Sequence, residues 1–277
     1  METANQPEIP VDVDFSHALG VSDAEGTLHV QGDQTRLWDL ASVSKPLAAL
    51  GALIAVERGF VDLDEPAGPE GATVRHLLAH AAGYGFDGDA VVGAVGARRI
   101  YSNTGFEVLA AHVEQATGYG FDEWMELTVI QGLDLVDVEV TGSPAAGYRG
   151  SIRDLLAVGR ELLAPTLLSP ELWREATAVQ FPGLAGILPG YGRQKPNDWG
   201  LGVEIRDHKQ PHWTGEHSSP GTFGHFGQSG SFLWVDPVRG LTAAFLGEQG
   251  FGEDHVRIWP GLSDALLDRF GGTVEGA

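Results

Sequence analysis

The longest unbroken apolar stretch of the chain covers residues 47–56, where every position is hydrophobic or glycine. A run without a polar stripe, closed by Glu57, Arg58 and Gly59, predicts a helix buried on nearly all sides. Shorter apolar pieces lie towards both ends. Residues 17–21 and 27–30 flank Asp23-Ala24-Glu25-Gly26, and residues 232–235 and 241–246 flank Asp236-Pro237-Val238-Arg239-Gly240; each pair predicts a hairpin. Leu37-Trp38 predicts a short extended piece leading into the buried helix, and residues 199–205, alternating with glycine, predict a further strand. Helical spacing falls between these ends: at 74–78 behind Thr73 as N-cap, then at 106–116, 121–127, 151–163 and 169–178. Residues 183–197, rich in glycine and proline, mark the return, and a closing helix over 254–270 is predicted to be interrupted early by Pro260.

Strands at the ends and helices in the middle predict an α+β fold in one domain of 277 residues. An antiparallel sheet built from both ends, covered by the terminal helix and the helix at 47–56, forms one lobe (1–60 and 198–277). A mostly helical lobe (61–197) faces it across a cleft. A net charge of −21 argues against nucleic acid or an anionic membrane as partner and leaves a small-molecule substrate. The chain holds no cysteine, which excludes disulfides, thiolate metal sites and a cysteine nucleophile. Residues 1–14 are acidic without an apolar core, and the run at 47–56 is about half the length a bilayer needs, so a cytoplasmic protein is expected.

The buried helix changes the picture because Ser42 sits at its N-terminus and Lys45 lies three residues on. Residues three apart share a helix face, so the amine can reach the hydroxyl. A lysine in apolar surroundings loses hydration and its pKa falls, as a base for a serine nucleophile requires. Only three of the seventeen basic residues are lysines, and one of them is in the most apolar helix. Taken alone, the pair also fits an N-cap with a lysine reaching to solvent.

Two further stretches place polar residues where such a site needs them. Tyr101 and Asn103, two residues apart before a helix, offer a phenolate or proton relay and a donor–acceptor pair for an acyl-side amide; a turn with an N-cap gives the same pattern. In Phe223-Gly224-His225-Phe226-Gly227-Gln228, the histidine is expected to donate to a substrate carboxylate or to the tyrosine oxygen. The Gln228 N–H is expected to join that of Ser42 in holding an oxyanion. His76 and His80, and the group His208, His212 and His217, raise a metal reading, but the helical pair lacks the glutamate of a zincin, and neither metal nor cofactor is expected.

With Ser-x-x-Lys at Ser42–Lys45, Tyr-x-Asn at Tyr101–Asn103 and His-x-Gly at His225–Gly227, the chain resembles the serine β-lactamase and penicillin-binding-protein superfamily. The likeness is to its class C-like branch of peptidases, D-aminopeptidases and carboxylesterases. The resemblance implies catalysis by Ser42, Lys45 and Tyr101 through an acyl-enzyme, with Asn103, His225, Gly227 and Gln228 binding the substrate, on a small ester, lactone or amide. A non-catalytic module that keeps the fold is the competing reading. A histidine in place of a permanently charged lysine implies weak β-lactam turnover, improving as pH falls towards about 6.

Overall fold

The computed structural model describes residues 7–272; residues 1–6, the start of the acidic lead, lie outside the described residues. The chain opens with a hairpin of β1 (His17–Ser22) and β2 (Thr27–Gln31), followed by β3 (Trp38–Asp39). A 3₁₀ turn at Ala41–Val43 then feeds α1 (Ser44–Glu57). The middle holds α2 (Val74–Leu78), α3 (Asn103–Thr117), α4 (Phe121–Met125), the short strands β4 (Val138–Glu139) and β5 (Arg149–Gly150), then α5 (Ile152–Leu163) and α6 (Pro170–Thr177). A small hairpin, β6 (Gly186–Leu188) and β7 (Gly192–Gln194), precedes β8 (Glu204–Ile205), β9 (Phe223–Gly227), β10 (Ser231–Asp236) and β11 (Leu241–Gly247). The closing helix is α7 (Glu253–Phe270).

Both ends of the chain meet in one sheet of order β2-β1-β11-β10-β9-β8, antiparallel at every pair. Strand alternation divides its side chains between two cores. Leu19, Val21, Phe232, Trp234, Ala243 and Phe245 face Trp259, Leu262, Leu266 and Leu267 of α7. Ala18, Leu233, Val235, Ala244 and Leu246 join the larger core that contains α1 and the middle helices.

The structure departs from the sequence expectations at four places. α5, expected in the helical lobe, lies against β1, β10 and β11, so the second cover of the sheet is α5 more than α1. Pro260 does not interrupt α7; the missing N–H costs about 3 kcal/mol in a helix interior, and burial of Trp259, Leu262 and Leu266 against the sheet offsets it. Only Glu204–Ile205 of the stretch 199–205 pairs as strand. The rest is a buried bend in which Gly202, at φ +85°, lets the backbone meet α1: a Cβ there would sit 2.1 Å from that of Ala49. Finally, α3 begins at Asn103 rather than at 106, because the Ser102 hydroxyl accepts the Gly105 N–H and starts the helix before its apolar spacing begins.

Candidate active site

Ser42 sits on a turn held from three sides. The Leu40 N–H donates to the Tyr148 carbonyl at 3.0 Å, and the Leu40 carbonyl accepts from the Ser231 hydroxyl at 2.9 Å. Gly227 of β9 runs so close that a Cβ there would lie 2.4 Å from the Leu40 oxygen. Gly227, expected to bind substrate, does not line the catalytic cavity; it lets β9 lie against the turn. Ala41, at φ +44°, holds a left-handed conformation that costs a non-glycine residue on the order of 1–2 kcal/mol, and the strain falls directly beside Ser42.

Lys45 is 0% exposed. Its ammonium donates to Asn103 Oδ1 at 2.7 Å and the Ala145 carbonyl at 2.8 Å, and reaches the Ser42 hydroxyl at 3.4 Å. It also lies 4.5 Å from the centre of the Tyr101 ring. Among the described residues no carboxylate touches it. Burial pushes its pKa down from 10.5 to about 7, with the charges of Asp87 and Glu107 opposing. Near neutrality a substantial fraction is therefore free amine beside a serine.

Tyr101 stands in an aromatic box, its ring centre 4.6 Å from that of His80, 5.6 Å from His225 and 5.9 Å from Trp199. Burial pushes the phenol well above its usual range, and the Ser42 hydroxyl, close enough to act on it without forming a hydrogen bond, offsets this only in part. Tyr101 is thus a neutral phenol near pH 7, which corrects the phenolate reading.

His225 is corrected as well. Its Nδ1 lies 2.6 Å from the Phe226 carbonyl, and a carbonyl only accepts, so the ring proton resides on Nδ1. Burial, reinforced by Lys45, brings its pKa to about 3. A neutral ring with the proton on Nδ1 presents Nε2 as an acceptor, and this atom is buried without a partner, as is the Tyr101 hydroxyl. His225 therefore cannot donate to a substrate carboxylate. Nor does it charge near pH 6, and the rise in β-lactam turnover expected there has no basis, since acid only protonates Lys45.

Asn103 is engaged at both ends of its amide: the oxygen receives Lys45, and Nδ2 donates to Asp87 Oδ1 at 3.0 Å. It orients the lysine rather than standing free for an acyl-side amide. Gln228 and Ser42 line one cavity of ≈ 140 Å³ together with Tyr101, His225 and apolar side chains such as Phe86 and Trp199. The histidines of the metal reading have separate partners: His76 bonds Thr73, His80 accepts the Ser102 N–H, His212 bonds Glu204, His217 bonds Asp268, and His208 lies near Asp207. Sequence reasoning missed the Ala145 carbonyl, Asp87 and Phe86. None of them carries a local signal, since a backbone oxygen and two loop residues become part of the site only through the path of the chain.

The family model described as Beta-lactamase matches residues 12–266. A solved β-lactamase of Mycobacterium bovis is 46% identical and superposes with a TM-score of 0.92, covering 95% of this chain and 97% of that one. EstCE1, a hydrolase with promiscuous acyltransferase activity, shares the fold at 17% identity and a TM-score of 0.74, over 91% of this chain and 94% of its own. Penicillin-binding protein 4* of Bacillus subtilis is 27% identical in a 151-residue alignment, and the match covers 43% of this chain and only 33% of that protein's length. The chain belongs to the Beta-lactamase family and is a serine hydrolase of that family.

Proposed function

We propose that Ser42 attacks the carbonyl of a small ester, lactone or amide and carries the acyl group covalently until water releases it. The observation that carries this reading is a fully buried lysine, lowered to about 7 and 3.4 Å from the serine hydroxyl. Free Lys45 takes the Ser42 proton as the hydroxyl oxygen bonds to the carbonyl carbon. The Ser42 and Gln228 N–H groups hold the resulting oxyanion. As the tetrahedral intermediate collapses, the neutral Tyr101 phenol gives its proton to the leaving oxygen or nitrogen and is re-protonated by the Lys45 ammonium. Water repeats the sequence on the acyl-enzyme.

The cavity favours an uncharged group next to the scissile carbonyl. Its polar lining among the described residues contains the Glu204 carboxylate and a neutral His225 but no fixed cation. The promiscuous acyltransferase activity of EstCE1 fits a covalent acyl intermediate of this kind. The β-lactamase of Mycobacterium bovis supports a second reading, β-lactam hydrolysis, in which Lys45 supplies the positive charge.

A fluorophosphonate probe should label Ser42 once, and Ser42→Ala should abolish the label. p-Nitrophenyl butyrate should be turned over faster than nitrocefin. Labelling that persists in the variant removes Ser42 from its role, and faster nitrocefin turnover decides for the second reading.

A further inference from the structure

The catalytic cavity shares Phe86, Tyr101 and Pro189 with a groove of ≈ 870 Å³ lined by the loop at 83–93, residues 97–101 and the β6–β7 hairpin. Three of the molecule's large exposed apolar side chains line it: Phe86 at 55%, Val92 at 50% and Ile187 at 68% exposure. Apolar surface gathered beside a reactive site is a binding surface by default.

The charge of the groove is the opposite of the charge of the protein. The chain carries 38 acidic residues, and among the described residues none lines this groove, whereas Arg98, Arg99 and Arg193 do. Arg99 is buried and donates its guanidinium N–H groups to the carbonyls of Ala79, Gln180 and Asn197. The other two are exposed. Arg193 stands directly opposite Ile187 across the hairpin, and directly opposed residues share a face. Arg98 precedes Arg99, which bridges Gly186 and points inward, so alternation turns Arg98 outward. Elsewhere Arg75, Arg149, Arg153 and Arg257 hold carboxylates. Among the described residues Arg98 donates only to the Val92 carbonyl, and Arg193 has no partner. Two guanidinium groups without acids in a protein of net charge −21 are a place for an anion from outside.

We infer that this groove is a second substrate subsite, taking an extended apolar arm that ends in a carboxylate held by Arg98 and Arg193. The inference rests on the serine-hydrolase reading for which bond is cleaved, not for the binding itself. The arm lies along Phe86, Val92 and Ile187 while the carbonyl sits at Ser42, so its charge is remote from the neutral His225.

The test compares p-nitrophenyl butyrate, p-nitrophenyl octanoate and mono-p-nitrophenyl suberate, with a mirror series carrying the arm on the alcohol side of an acetyl ester. In one of the two series the free carboxylate should raise kcat/KM about fivefold over the uncharged chain, and added salt should erode the gain. The double variant Arg98→Ala/Arg193→Ala should remove the gain and leave butyrate unaffected; both residues are exposed, so the fold should tolerate the change. Calorimetry with monomethyl suberate on Ser42→Ala should show the same dependence on the two arginines without any turnover. A flat response to the carboxylate in both series, or a preference that survives the double variant, overturns the inference. If no ester is hydrolysed but the calorimetric difference holds, the hydrolase reading fails and the subsite stands. Short-ester hydrolysis without a calorimetric difference overturns the subsite and leaves the hydrolase reading intact.

Discussion

Lys45 and Lys209 are both buried amines, 0% and 3% exposed, and they differ in what they touch. Lys209 donates to Glu204 Oε1 at 2.5 Å and to the carbonyls of Asp198 and Ile205. Glu204 in turn accepts from His212 and Trp213. Burial alone would raise the Glu204 carboxyl, but His212 and Lys209 hold it well below the usual carboxylate range, so the pair stays ionised. Burial lowers Lys209 too, yet the contacting carboxylate opposes the shift. Among the described residues Lys45 has only neutral oxygens in contact, and its carboxylates, Asp87 and Glu107, act from a distance. Burial alone therefore does not make a base. Burial without a touching counter-charge does, and the same side chain serves as structural cement in one place and as a proton acceptor in the other.

The contrast is broken most directly by replacing each lysine with methionine. Lys45→Met should lower kcat/KM for p-nitrophenyl butyrate about 10²–10⁴-fold, whereas Lys209→Met should change it little at a temperature where the variant is folded. Tyr101→Phe should cost a similar factor, and combining it with Lys45→Met should add little, because both serve one proton. Losses that multiply in the double variant would separate the two roles.

Denaturant titration should reverse the ranking. Lys209→Met leaves Glu204 buried without its closest cation and should cost about 3–5 kcal/mol of stability. Lys45→Met removes an amine that is penalised in the fold and should stabilise at pH 7. The sign extends to pH. Between about 7 and 10.5 the unfolded chain keeps the Lys45 proton and the folded chain has lost it, so wild-type stability rises with pH relative to Lys45→Met. The gap should close by about 1 kcal/mol per pH unit, and a gap independent of pH would mean that Lys45 keeps its proton on folding.

In the activity profile, kcat/KM should fall below pH 7 as the amine is protonated, with an acid limb near 7. The smallest effect belongs to Asp87. Asp87→Asn keeps an acceptor for the Asn103 amide but removes a charge that favours the ammonium, so the acid limb should move down. Asp87 is exposed and screened by water, so the displacement should stay below about one unit. An upward displacement would exclude this electrostatic role.

Local chemistry accounts for the parts of the molecule that can be read from the order of its residues. The helix at α1 is legible because ten consecutive apolar or glycine positions admit no other economical burial, and the hairpins are legible from their turn residues. Ser42, Lys45, Tyr101 and His225 are legible as candidates because each is a polar or ionisable residue at a known spacing next to an apolar element. Their chemical states, by contrast, come from the folded arrangement. The free end of His225 depends on the neighbouring carbonyl at 2.6 Å, the protonation of Tyr101 on the box that desolvates it, and the orientation of Asn103 on Asp87 from a separate loop. The two buried lysines are the sharpest case. Nothing near position 45 says that its long-range neighbours, Asn103 and Ala145, are neutral, and nothing in a stretch as polar as 206–210 says that Lys209 is buried. Desolvation and Coulomb energy depend on distance in space, and distance in space between residues 58 or 100 positions apart is set by the fold.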